Sequence, residues 1–89
     1  MKPNQIGKFT IHSKFIREEP DIVARAFSLI NLVPVRAEYL FVNDVIEYIA
    51  LSDKFREIEQ GTMPPEYEII ITDDGNFLVE IIEKNKEQS

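Results

Sequence analysis

From Ile6 to Arg17 apolar and polar residues alternate. Phe9, Ile11 and Phe15 share one parity, with Ser13 the exception, and Lys8, Thr10, His12 and Lys14 share the other. A period of two predicts a strand with one apolar and one basic face. The period then lengthens. Ile22, Val23, Ala26, Phe27 and Ile30 recur at helical spacing, behind the acids Glu18 and Glu19 and a proline at position 20. Proline suits a first helical turn and acids suit its positive end, so a helix is expected over about 20–30. Asn31 is placed to take a left-handed conformation after it, Leu32 to fold back, and Pro34 to stop it.

Val35 to Leu51 returns to strand character. A two-residue turn at Asn43-Asp44 would pair Phe41 with Ile46, Tyr39 with Tyr48 and Ala37 with Ala50, all on one face. A single helix over 38–51 is the competing reading, and the aromatic and β-branched content disfavours it. Ser52 to Ile58 reads as a short helix capped by Ser52 and ended at Gly61. Thr62-Met63-Pro64-Pro65 is a connector. The second hairpin is the clearest element. A three-residue loop at Asp73-Asp74-Gly75, with Gly75 left-handed, puts Tyr67, Ile69, Ile71, Phe77, Val79 and Ile81 on one apolar face. A two-residue Asp74-Gly75 turn would mix the faces. That register also sets Glu68 opposite Glu80, a like-charge contact that Lys8 or Lys14 would relieve if the first strand lay alongside.

The order is β-α-β-β-short helix-β-β. It predicts an α+β domain over residues 1–84, with about five mostly antiparallel strands in a sheet and one main helix on it. Residues 85–89 have nothing to bury and are expected to fray.

Composition narrows the function without naming it. The 89 residues carry 16 Asp+Glu against 10 Lys+Arg, a net charge of −6. Nucleic-acid and anionic-membrane binders need the opposite balance, so neither is expected as a partner. No cysteine is present, which removes disulfides, thiolate metal sites and cysteine nucleophiles. No apolar run reaches the length of a signal peptide or a membrane span, and a cytoplasmic protein is the default expectation. Charge is also uneven along the chain. Residues 1–36 hold six bases and three acids, net +3, and residues 37–89 hold four bases and thirteen acids, net −9. Matching of the two halves within the fold explains this most simply.

Catalytic chemistry finds little support. His12 is the only histidine, and on a strand it points away from its neighbour Ser13, so the two make no dyad. One histidine leaves only carboxylates for a metal, and Asp73, Asp74 and Asn76 have turn spacing rather than cation-loop spacing. No metal, cofactor or catalytic residue is expected. Carboxylate pairs at Glu18/Glu19, Glu66/Glu68 and Asp73/Asp74 leave a small acid–base enzyme as the remotest reading. An acidic inhibitor that imitates nucleic acid on a target protein is a second reading.

The leading expectation is a non-catalytic protein-interaction or accessory module that self-associates. One helix about 10–12 Å wide covers only half of a five-stranded sheet about 24 Å wide. The mixed faces carry Leu40, Ile49, Leu51, Ile70, Leu78 and Ile82, which no expected element covers. These six are the candidate interaction residues, and a homodimer through the sheet, by face or by edge, is the expected way to bury them. The alternative is a monomer whose hairpins curl onto each other.

Overall fold

A computed structural model describes residues 2–84, and the expected fraying of residues 85–89 lies outside them. The domain is α+β, with five antiparallel strands and one main helix. In chain order these are β1 (Ile6–His12), α1 (Ser13–Glu18), α2 (Pro20–Leu29), β2 (Val33–Leu40), β3 (Val45–Leu51), β4 (Tyr67–Asp73) and β5 (Phe77–Glu83). The strands form two sheets rather than one: β1-β3-β2, with β3 central, and the hairpin β4-β5. The two meet at one point. Lys8 bridges in parallel to Glu66 and its N–H donates to the Pro65 carbonyl at 2.9 Å. Beyond that bridge β4 peels away from β1.

The main helix begins at Pro20 as expected and ends in a Schellman motif. Asn31 takes φ 51°, the Leu32 N–H donates to the Phe27 carbonyl at 2.9 Å, and the Asn31 N–H donates to that of Ser28 at 3.1 Å. Leu32 is thereby turned back into the core. Across the helix–sheet interface Phe9 stacks on Tyr48 at 5.2 Å, and Phe27 meets both rings edge-on at 5.9 and 5.4 Å. Ile69, Val79 and Ile81 of the second hairpin pack against the same core. The hairpin therefore covers sheet area that the helix leaves open.

Two expectations about helices are corrected. The first strand stops at His12, and α1 starts at Ser13, the residue that breaks the alternation. The Ser13 N–H donates to the Asp44 carbonyl at 3.0 Å and its hydroxyl to the Asp44 carboxylate, which turns the chain there. Phe15 and Lys14 are consequently helical. No helix forms over 52–58. Its backbone is committed elsewhere: the Ser52 N–H donates to the Gln5 carbonyl and the Ile58 N–H to that of Asn4, each at 3.1 Å. Ser52 is fully buried, and its hydroxyl donates to the Ile30 carbonyl at 2.6 Å.

Both hairpins keep their expected faces but shift register by two residues. In the first, Tyr39 faces Ile46 and Ala37 faces Tyr48, with a bulge between Pro34 and Arg36. A four-residue loop, Phe41 to Asp44, replaces the two-residue turn, because Asp44 leaves the ladder at φ 54°. In the second hairpin Ile71 faces Val79 and Ile69 faces Ile81, and the three-residue loop is Asp74-Gly75-Asn76. Glu68 faces Ile82 and Ile70 faces Glu80, so the expected Glu68–Glu80 contact does not arise. Among the described residues neither Lys8 nor Lys14 makes an ion pair, although β1 does lie beside the start of β4.

Two glycines separate the effects of space and backbone angle. Gly75 has φ 107° with nothing within 4 Å of the place a Cβ would take, so Gly75→Ala is expected to cost about 1 kcal/mol through strain alone. Gly7 has no such angle, but its Cβ would lie 2.7 Å from Cδ2 and Cε2 of Tyr67. Gly7→Ala is expected to cost more, about 2–3 kcal/mol, by forcing that buried ring aside. Denaturant titration of the two variants checks this, and equal losses would contradict the close approach.

Candidate functional site

The sequence-expected interaction residues do not come together. Leu40, Ile49 and Leu51 share the outer face of the three-stranded sheet, where all three are half-buried. Ile49 lies between Lys8 and Arg36, and Leu51 between Ile6 and Val33. Ile70, Leu78 and Ile82 lie on the outer face of the other hairpin, Ile70 half-buried and Leu78 and Ile82 exposed. Glu80 faces Ile70 and Glu68 faces Ile82, so charge interrupts apolar surface across that ladder.

The largest run of exposed apolar side chains is elsewhere, along β2 and its loop. β2 is one of the two edge strands of its sheet and is exposed from Val33 through Tyr39. Val35 is 59% exposed, Tyr39 53%, Phe41 78% and Val42 82%. Leu29, at the end of α2, is exposed next to the start of this strand. Tyr39 and Phe41 are thus surface residues, and neither makes its expected pairing with Tyr48 and Ile46. The register shift puts Phe41 in the loop, and α2 does not extend over β2. Three features of β2 signal an edge in the sequence: Pro34, which lacks a ladder donor, and the charges Arg36 and Glu38.

The edge is anchored at its loop by a polar node. The Asp44 carboxylate accepts from the Ser13 hydroxyl and from the Tyr39 hydroxyl, the latter at 2.8 Å. Arg17 in turn donates to the Ser13 oxygen at 3.0 Å. The two hydroxyl donors hold the Asp44 carboxyl below its ordinary pKa, and acceptance by Asp44 raises that of Tyr39. The node fixes the Tyr39 ring and the left-handed Asp44 together.

Two ion pairs tie the second hairpin to its surroundings. Arg56 makes a two-pronged contact with Glu83 at 2.8 and 3.0 Å, and Lys84 lies 4.0 Å from Glu66. A cleft of about 300 Å³ opens where β4 leaves β1, lined by Thr10, Ile11, His12, Phe15, Glu68 and Lys84 among others. Among the described residues no three histidine or acidic side chains gather as a metal-ligating group, and no helix is long and apolar enough to cross a membrane. The chain matches no family model, and no curated protein or solved structure is significantly similar to it.

The lowered pKa of Asp44 has a pH signature. A carboxylate depressed in the folded state contributes stability above its ordinary pKa, and that contribution is lost as pH falls through the folded value. Asp44→Asn keeps a residue suited to the left-handed angle and removes only the charge. Its melting temperature is expected to fall below wild type at neutral pH and to converge with it in acid below the ordinary carboxylate range. Thermal melts of both proteins across that range test this, and a constant gap would remove Asp44 from the acid limb.

Proposed function

We propose that this domain is a non-catalytic protein-interaction module that self-associates through its three-stranded sheet, at the β2 edge. The observation that carries the reading is the exposure of β2 from Val33 to Tyr39, with Val35, Tyr39, Phe41 and Val42 open to solvent. An edge strand presents unpaired backbone donors and acceptors, and natural proteins cover or blunt such edges. An edge that is also apolar is a surface suited to another chain.

Three further points favour this reading over its rivals. The net charge of −6 opposes binding to phosphate backbones. Pairing of Glu66 and Glu83 with Lys84 and Arg56 breaks up the acidic surface that imitation of nucleic acid would need. The Ser13 hydroxyl, beside the only histidine, is already committed to Asp44. On this reading the module works in the cytoplasm, a setting its lack of cysteine suits.

Light scattering over about a hundredfold dilution, run beside melting curves, tests the proposal. A dimer mass at high concentration and a melting temperature that rises with concentration are expected. A monomer mass throughout, with a concentration-independent melting temperature, would overturn it.

A further inference from the structure

We infer that the occupant of the β2 edge is β2 of a second copy, antiparallel, about a two-fold axis centred on Ala37. The inference rests on the self-association reading and adds its register. β2 carries two charges, Arg36 and Glu38, of opposite sign and two residues apart. Both lie on the outer face, opposite Ile49 and Glu47 of β3. They are exposed and 3.5 Å apart within one chain.

Symmetry limits the registers. Residues directly opposite in an antiparallel ladder share a face, and successive residues alternate faces. A two-fold axis normal to the sheet must therefore set some residue opposite its own copy. Centring on Arg36 opposes two arginines, and centring on Glu38 opposes two glutamates, both unfavourable. Centring on Val35 or Tyr39 leaves both charges facing uncharged residues. Centring on Ala37 sets Arg36 opposite Glu38 of the second copy, twice by symmetry. It also brings Val35, the bulge residue at the end of the ladder, to the level of Tyr39 of the second copy, so that exposed apolar side chains lie near each other.

A second observation agrees. Glu38 already faces Glu47 across the β2–β3 ladder, a like-charge pair served by the single Arg36 of its own chain. In this register the Arg36 of the second copy comes beside that pair. Ala37 at the axis is uncharged, so placing it opposite its own copy adds no repulsion. Pro34 and the adjacent bulge end the ladder on one side, and the loop at Phe41 ends it on the other. Edge charges ordinarily discourage strand pairing. Here their opposite signs reject other registers and select one.

Charge reversal tests the register. Arg36→Glu and Glu38→Arg each create two like-charge contacts, so each variant alone is expected to self-associate roughly tenfold or more weakly than wild type at low salt. Mixed together, the two variants restore opposite charges at both contacts, and a heterodimer is expected near wild-type affinity. The double variant Arg36→Glu/Glu38→Arg is likewise expected to recover self-association. Sedimentation velocity on each protein and on the mixture reads these outcomes, with circular dichroism confirming that each variant is folded. Wild type that stays monomeric at every concentration would overturn both this register and the self-association reading. Wild type that dimerises while the single reversals dimerise equally well, with no gain on mixing, would overturn the register alone.

Discussion

Gly7 sits where the ring of Tyr67 crosses β1, and the second hairpin is joined to the first sheet there and at the single Lys8–Glu66 bridge. Tyr67 fills the space that any side chain at position 7 would occupy. Its ring stacks on Phe55 at 4.4 Å, and its hydroxyl accepts from the Arg56 N–H at 3.1 Å. Arg56 reaches on to Glu83 at the end of β5. One notch in one strand thus locates the hairpin, the irregular segment that precedes it and the last residues of β5. The apolar side chains Ile69, Val79 and Ile81 then reach the common core as a consequence of that placement.

The other half of the domain is held by commitments of backbone groups. Ser52 joins the end of β3 to the end of α2 by its hydroxyl, and to the N-terminal segment by its N–H. The same hydroxyl oxygen accepts from the Lys54 N–H at 3.1 Å, which closes a tight turn, and the backbone that follows is held by Asn4 rather than continuing as a helix. The Arg25 guanidinium lies 4.2 Å above the ring of Phe77, so the main helix also touches the second hairpin. Helix, sheet and hairpin therefore share one core although the strands fall into two sheets.

The legible and illegible parts of the sequence divide along physical lines. Faces were legible, because the side-chain period of a strand is local. The main helix was legible in the proline at its start and in Asn31 and Leu32 at its end, which do what their chemistry suggests. Register was not, since a shift of two residues preserves every face and depends on how Asp44 and Asp74 shape their loops. The short helix α1 was hidden because Phe9, Ile11 and Phe15 fit one parity, while the cause of the break, a contact from Ser13 to Asp44, spans distant parts of the chain. The same limit applies to the interaction surface. Leu40, Ile49, Leu51, Ile70, Leu78 and Ile82 are apolar residues on mixed faces, and the fold divides them between the outer faces of two sheets. The edge position of β2 was written in Pro34, Arg36 and Glu38, yet the exposure of Phe41 follows from the shifted register and that of Tyr39 from where α2 lies.

The strand order has a kinetic side. The hairpins β2-β3 and β4-β5 and the helix α2 are each built from near neighbours in sequence, whereas β1 must find β3 across the span from Ile6 to Leu51. Chain closure over that span makes β1 the entropically most demanding strand to place. It is also the strand that carries the notch for Tyr67. Until β1 is seated, the second hairpin lacks the notch that locates Tyr67, so in this topology full protection of its apolar face is tied to a contact between distant parts of the chain.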